Sequence, residues 1–155
     1  MPALFAHGIG VTRHHTLRSM IHMRLPLAVI SIWASFIPVA IANGLLREKA
    51  LVPLLGQRAA LPLSGISAGL LFFLLAYIAI PWLGALKPAG YGLIGLTWLL
   101  LTVVFEFLFG RFVAGKSWED LLRAYDIFSG NLWLLVLLMI FVSPYLAAKL
   151  RGFVP

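Results

Sequence analysis

The residue that most limits the chemistry of this chain is Glu106, the only acid inside any of its long apolar segments. A carboxylate in hydrocarbon must be protonated, hydrogen-bonded, paired with a cation or in contact with water. In a functional interpretation, Glu106 exchanges a proton or binds a cation, with Asn43 and a nearby arginine as partners. In a structural interpretation, it forms an ion pair with one of three arginines: Arg47, Arg111 or Arg123.

Other polar side chains are predicted to lie at the depth of Glu106, because odd-numbered spans run in parallel and end on one side of the membrane. Asn43 and Glu106 each lie about 6–8 Å inside a flanking arginine, at 1.5 Å rise per residue. The candidate polar cluster comprises Glu106, Asn43, Arg47, Arg111, Thr102, Ser64, Ser67, Arg123 and Asn131. A lone carboxylate rarely suffices for catalysis, so we predict no catalytic residue.

The histidines all precede the first span, which excludes a haem held between spans by two histidines of this chain. The spacing of His7, His15 and His22 could collect them on one helix face and bind a metal. Gly8 and Gly10 disfavour such a helix, and we expect no metal site. The chain has no cysteine, which excludes disulfides and thiolate sites. We therefore expect no cofactor.

Four apolar segments must position the polar cluster, and each is long enough to cross a bilayer. Of the 155 residues, 62% are hydrophobic, whereas soluble domains are nearer half. About 20 helical residues cross a hydrocarbon core of roughly 30 Å. The predicted spans, none containing Lys or Arg, are residues 25–46, 59–86, 88–110 and 127–148. Aromatic residues near span ends, such as Trp133, are predicted to form interface belts, and the Phe cluster around Glu106 to face lipid or the core.

The connector before the last span is predicted to form a short amphipathic helix at residues 118–128, lying on the membrane surface. Ser117 and Asp120 match the capping pattern of a helix start. An apolar stripe at helical spacing contains Trp118, Leu121, Leu122 and Tyr125. The fold class is therefore all-α: an antiparallel four-helix transmembrane bundle with one interfacial helix. Residues 1–24 form a basic arm, 25–151 a single membrane domain and 152–155 a tail.

The two halves of the membrane domain look related. An offset of 63 residues places Pro81-Trp82-Leu83 on Pro144-Tyr145-Leu146 and Asn43 on Glu106. Such a duplication would be parallel, with its axis along the membrane normal. The alternative is that proline and aromatic residues simply favour span ends.

The net charge of +7 is predicted to serve the membrane rather than nucleic acid, because basic residues flanking spans meet anionic headgroups. Lys and Arg divide equally between the two sides, so the positive-inside rule does not decide the orientation. All the acids outside the spans lie on the side away from the termini, which favours cytoplasmic termini.

The stretches Asn-Gly-Leu-Leu-Arg-Glu (43–48) and Phe-Glu-Phe-Leu-Phe-Gly-Arg-Phe-Val-Ala-Gly-Lys-Ser-Trp-Glu-Asp-Leu-Leu-Arg-Ala-Tyr-Asp (105–126) resemble a family of small, functionally uncharacterised bacterial four-span inner-membrane proteins. The likeness covers most of residues 25–151. It implies a four-helix fold in the bacterial inner (cytoplasmic) membrane, and it transfers no mechanism. Small multidrug transporters carry their key carboxylate in the first span, whereas here the acid is in the third.

Three classes of function remain after these exclusions. The first is a non-catalytic subunit or scaffold that packs against another membrane protein or itself, as the small size and lack of a catalytic constellation suggest. The second is a small transporter or channel with Glu106 as the proton- or cation-coupling group. The third is an intramembrane enzyme that acts on lipid, using Glu106, an arginine and an acid of the connector.

Overall fold

The computed structural model describes residues 24–126, 128 and 130–155. Within these residues the chain is helical without strands, which confirms the predicted all-α fold. The helices are α1 (Arg24–Leu55), α2 (Gln57–Leu83), α3 (Pro88–Val113), α4 (Trp118–Arg123) and α5 (Trp133–Leu150). In the described part, α1, α2, α3 and α5 are long and apolar enough to span a membrane. The chain is a multi-pass membrane protein. The arm before Arg24, with the histidines of the metal hypothesis, lies outside the described residues.

Helix α1 does not end at Leu46 as predicted but continues to Leu55. It passes through a π-helical turn at Arg47–Leu51, where the backbone N–H of Val52 bonds to the carbonyl of Arg47. Charged residues end the part of a helix that can lie in lipid, but they do not end the helix itself. The helix stops only at Gly56, whose φ of 76° is accessible to glycine at little cost.

The end of α3 repeats this arrangement, because a π-helical turn at Phe109–Val113 extends it past the predicted boundary at Gly110. After it, α4 is shorter than predicted and ends at Arg123. The last span begins at Trp133 rather than Ile127. Gly130 adopts a φ of 81°, and the side chain of Asn131 accepts a hydrogen bond from the Trp133 backbone at 3.0 Å.

The four spans pack as a ring, in which α5 lies against α2 and α3, and α1 contacts both of these through aromatic side chains. Helices α3 and α5 approach each other closely at Gly95. A Cβ atom on Gly95 would overlap the carbonyl oxygen of Phe141. Glycine at this position therefore sets the distance between the two helices.

Two prolines inside helices, Pro81 in α2 and Pro144 in α5, leave carbonyl groups without their usual helical donors, and side chains replace those donors. Pro81 frees the carbonyl of Tyr77, which accepts a hydrogen bond from Arg151 Nε at 2.6 Å. Pro144 frees the carbonyl of Ile140, which accepts one from Ser143 Oγ at 3.1 Å. Both helices thus remain continuous through their prolines.

Candidate functional site

A cavity of about 630 Å³ lies between the carboxyl-terminal halves of α1 and α3, with α4 at its rim. Its volume is within the range of sites for small ligands, roughly 300–1,000 Å³. Its apolar wall includes Trp33, Phe36, Ile37, Phe72, Phe105 and Phe109. Its polar and charged lining comprises Arg47, Thr102, Glu106, Lys116, Asp120, Arg123 and Asn131. An apolar body with a few convergent polar groups is the usual composition of a ligand site.

Glu106 is held in this cavity through one of its two carboxylate oxygens. Tyr125 Oη donates to Glu106 Oε2 at 2.7 Å, and Trp133 Nε1 donates to the same oxygen at 2.6 Å. Within residues 24–126, 128 and 130–155, no side chain or backbone group donates to Oε1, and no Lys or Arg forms an ion pair with Glu106. The carboxylate therefore has one fixed oxygen and one that can accept a proton or a ligand donor.

Tyr125 acts as a hydrogen-bond donor at neutral pH. Burial raises the pKa of its hydroxyl above the ordinary value near 10, and the hydrogen bond to Glu106 and the charge of Glu106 raise it further. Trp133 donates through an indole N–H that does not titrate. Neither donor carries a positive charge, so neither cancels a charge on the carboxylate.

The cations around the cavity differ in whether they are already paired. Arg47 forms an ion pair with Glu48 at 3.0 Å, and Arg123 forms one with Glu119 at 3.0 Å. The Lys116 ammonium has neither hydrogen-bond nor ion-pair partner among the described residues, and it interacts electrostatically with Glu106.

Arg111 belongs to the predicted cluster but does not line this cavity. Its guanidinium lies over the ring of Trp118, 5.8 Å from the centroid, and donates to the backbone carbonyl of Lys116 at 3.2 Å. Its role is to fasten the start of the connector that carries Lys116.

Asn43, Ser64 and Ser67 form a separate polar group that joins α1 to α2. Asn43 Nδ2 donates to the carbonyl of Ser64 at 2.9 Å, and Ser67 Oγ donates to Asn43 Oδ1 at 2.7 Å. Asn43 and Ser64 line a side cavity of about 220 Å³, which shares lining residues such as Arg47 and Asn131 with the main cavity. Asn43 therefore lies near the site without being the partner of Glu106.

Thr102 and a layer of aromatic rings join α1 to α3 at the inner end of the cavity. Trp33 Nε1 donates to Thr102 Oγ1 at 3.0 Å, and Trp98 Nε1 donates to the carbonyl of Val29 at 2.9 Å. The Phe36 ring lies 5.1 Å from the rings of both Phe72 and Trp98. Phe36, Phe72 and Trp98 are all buried, so this layer closes the cavity towards the amino-terminal end of α1.

The amphipathic helix α4 contributes both inward-facing and outward-facing residues. Its start is capped as predicted, since the Asp120 backbone N–H donates to Ser117 Oγ at 3.0 Å. Leu121 is 3% exposed and packs on Gly110, whereas Trp118 and Leu122 are exposed. Tyr125, just after the helix, bonds to Glu106. The predicted apolar stripe is therefore divided. Leu121 and Tyr125 lie on the cavity side, whereas Trp118 and Leu122 lie on the outer surface.

No protein-family model, curated protein or solved structure matches the chain. The resemblance to small bacterial four-span proteins stays a prediction. In the part of the chain that the structure describes, no group of three or more metal-ligating side chains occurs.

The sequence did not reveal the residues that complete the site. Trp133 was interpreted as part of an interface belt, yet it donates to Glu106. Phe105 and Phe109 were interpreted as lipid-facing or core residues, yet both line the cavity. Lys116 also lines the cavity, although it is not a member of the predicted polar cluster. The sequence does carry one signal for these hydrogen-bond donors. Tyr125 and Trp133 each have one polar side-chain atom and lie on the side of the membrane where Glu106 needs donors.

Proposed function

We propose that this protein is a small transporter in which Glu106 binds the ligand and exchanges it for a proton. The observation that supports this function is a cavity-lining carboxylate whose Oε1 accepts no hydrogen bond from the described residues and whose other oxygen accepts two neutral donors. A structural ion pair, the alternative role for Glu106, would need a cation beside it. A carboxyl group that stays protonated, or that stays paired with a cation of the protein, could not exchange a proton for a ligand.

The shape of the cavity is consistent with one state of an alternating-access cycle. The cavity is bounded at its inner end by the layer of Phe36, Phe72 and Trp98. Transport requires this layer to open when the outer end closes. A channel, by contrast, would need a path that passes the aromatic layer without such a change.

The test is modification of Glu106 by dicyclohexylcarbodiimide, an apolar reagent. A protonated carboxyl adds its O–H across the carbodiimide, and acyl migration gives a stable N-acylurea that mass spectrometry locates. We expect a single labelled site at Glu106, with labelling that decreases as the pH is raised. No labelling of the folded protein at any pH would contradict the proposal.

Two controls make this test specific. The Glu106→Gln variant should lose the adduct while keeping the elution volume of the folded protein. A water-soluble carbodiimide should label Glu48 and Glu119, which are exposed, at least as readily as it labels Glu106. Equal labelling of all acids by the apolar reagent would mean that Glu106 is not in a distinct site.

A second candidate function is an intramembrane enzyme that acts on lipid. It is favoured by the closed inner end of the cavity and by a second titratable group, Tyr125, hydrogen-bonded to Glu106. This function predicts a chemically altered lipid after incubation of the protein with a labelled lipid extract. A transporter leaves the lipid unchanged and moves its ligand across proteoliposomes.

The proposed location is the bacterial inner membrane, with both termini in the cytoplasm. An even number of spans puts both ends of the membrane domain on the same side. The acids outside the spans, including Glu119 and Asp120, then lie on the outer side with the cavity mouth. Alkaline phosphatase fused after Leu150 should be inactive in cells, because this enzyme needs the periplasm to form its disulfides. Active fusions would reverse the orientation.

A further inference from the structure

We infer that the ligand is a zwitterionic amphiphile of the aminophospholipid type, with its ammonium group at Glu106 and its phosphate at Lys116. This inference rests on the proposed function, because it names the ligand of the same cavity. It follows from three features of the lining: a carboxylate oxygen and an ammonium group that have no partner among the described residues, and an apolar rim at the depth of the membrane.

The ammonium group is assigned to Glu106 because Oε1 accepts no hydrogen bond from the described residues. A primary ammonium supplies three donors and a positive charge, and charge-assisted hydrogen bonds are the strong ones. Aromatic rings line the same part of the cavity. Phe105 stacks on Phe109 at 5.3 Å, and Trp33 meets Phe105 edge-on at 6.0 Å. Such rings favour a cation over an anion.

The phosphate is assigned to Lys116 because the other two cations of the lining are already paired. Three cations and four acids line the cavity or pair with a residue that does. They are the cations Arg47, Lys116 and Arg123 and the acids Glu48, Glu106, Glu119 and Asp120. This set of three cations and four acids disfavours a purely anionic ligand. A purely cationic ligand leaves Lys116 without a partner. A ligand that carries both signs pairs with both free groups.

The apolar tail is assigned to the opening between α1 and α3. Ile41 of α1 and Phe109 of α3 line the cavity and are 54% and 42% exposed, so its rim is apolar. Glu106 lies about 10 Å from the end of α3 at Val113, at 1.5 Å rise per residue. A headgroup at this depth leaves its acyl chains beside the rim, in the hydrocarbon.

The experiment is native mass spectrometry of the purified protein in detergent with competing lipids. Phosphatidylethanolamine, phosphatidylglycerol and phosphatidylcholine with matched acyl chains are added in equal amounts, and hexadecylamine is the cation without a phosphate. We expect phosphatidylethanolamine to be retained about tenfold over phosphatidylglycerol, since the ammonium adds one charge-assisted pair. Phosphatidylcholine should be disfavoured too, because its quaternary nitrogen has no N–H to donate.

Variants separate the two ends of the ligand. Glu106→Gln should remove the preference for phosphatidylethanolamine over phosphatidylglycerol. Lys116→Gln should instead remove the preference for phosphatidylethanolamine over hexadecylamine. Lys149→Gln, an exposed cation at the other end of the bundle, should change neither ratio. If Glu106→Gln does not fold, protection of wild-type Glu106 from carbodiimide by phosphatidylethanolamine gives the same information.

Equal retention of phosphatidylethanolamine and phosphatidylglycerol by the wild type would overturn the inference. Equal binding of hexadecylamine and phosphatidylethanolamine would also overturn the inference, because the ligand would then be a lipophilic amine without a phosphate. Carbodiimide labelling of Glu106 without lipid preference would refute the inference and leave the proposed function standing. Absence of both labelling and preference would refute both.

Discussion

At the scale of single residues, the geometry of the site depends on how the two oxygens of the Glu106 carboxylate are bonded. Tyr125 and Trp133 both donate to Oε2 of Glu106, so they fix the orientation of the side chain. The two donors come from different elements, the end of the connector and the start of α5. Any movement of the connector relative to α5 must therefore change the environment of Glu106.

Removal of the Tyr125 hydroxyl should weaken both the fold and the orientation of Glu106. We expect Tyr125→Phe to lower the free energy of unfolding by about 1–3 kcal/mol, the usual cost of a lost hydrogen bond to a charged group. Carbodiimide labelling of Glu106 should increase, since one donor no longer competes with the reagent. Thermal unfolding and labelling rates measure the two effects. Tyr145→Phe, near a span end without a role in the site, is the matched control and should change neither.

The close approach of α3 and α5 should make Gly95 intolerant of even one methyl group. Gly95→Ala places its Cβ against the Phe141 carbonyl, so the helices must separate, and overpacking of this kind costs about 1–3 kcal/mol. The control is Gly92→Ala on the same helix, where a Cβ meets open space. Comparable thermal unfolding of the two variants would show that the helices do not approach at Gly95.

At the scale of helices, side chains take over where the regular backbone pattern fails. The prolines of α2 and α5 free carbonyl groups that Arg151 and Ser143 then bind. Arg151 also lies over the Tyr77 ring, 4.1 Å from its centroid. Arg151, just after α5, thus joins this part of the chain to α2 at Tyr77.

This tie predicts unequal roles for two neighbouring cations. Arg151→Gln should lower the free energy of unfolding by about 1 kcal/mol, because the Tyr77 carbonyl loses its donor. Lys149→Gln removes the same charge two residues away and should leave stability unchanged. Equal midpoints of thermal unfolding for the two variants would mean that the positive charge, and not the hydrogen bond, stabilises this end of the bundle.

The start of α4 should respond to acid. The hydrogen bond from the Ser117 hydroxyl holds the pKa of the Asp120 carboxyl below its ordinary value. A backbone hydrogen bond with Ser117 and the nearby cations lower this pKa further. A lowered pKa in the folded state gives stability that is present above the ordinary value and is lost as the pH falls through the lowered one. We expect a spin label at Leu122→Cys to become more mobile across that acidic range. The Ser117→Ala variant should be mobile at neutral pH already, and a label immobile in both would contradict the cap.

At the scale of the whole molecule, the two halves end their odd-numbered spans in the same way. Both α1 and α3 contain a π-helical turn near their carboxyl-terminal ends, at Arg47–Leu51 and at Phe109–Val113, and in α1 one further helical turn follows it. Asn43 and Glu106 precede these turns at similar distances. The pattern supports the predicted duplication, which stays a prediction. The two positions have different roles: Asn43 joins two helices, whereas Glu106 faces the cavity.

The expectation of a non-catalytic subunit can be tested on the intact protein. Native mass spectrometry of material extracted gently from its own membrane should show a monomer or homodimer that carries lipid, if the transporter proposal is correct. Co-purifying chains at fixed stoichiometry would instead support the subunit hypothesis. Such chains would also make Glu106 a group that serves assembly.

Much of the fold could be predicted because long apolar segments have few alternatives in lipid. The four spans of the described residues, the cap at Ser117 and the position of Glu106 within an apolar span can be recognised from local sequence alone. The partners of Glu106 could not be predicted, because Tyr125 and Trp133 are brought together by the packing of α3, the connector and α5. The predicted end of α1 at Leu46 was wrong, because charged residues mark the edge of the hydrocarbon and not the end of the helical hydrogen bonding.

The connector between Gly115 and Gly130 carries Lys116, Asp120, Arg123 and Tyr125, four groups that line the cavity or bond to Glu106. Both glycines have positive φ angles, so the segment begins and ends at a sharp change of direction. Apart from Glu106 in α3, these groups of the proposed headgroup site, Lys116 among them, thus lie on a segment separate from the spans that form the bundle. Exchange of this single segment would be the shortest route by which the same scaffold could acquire a different ligand.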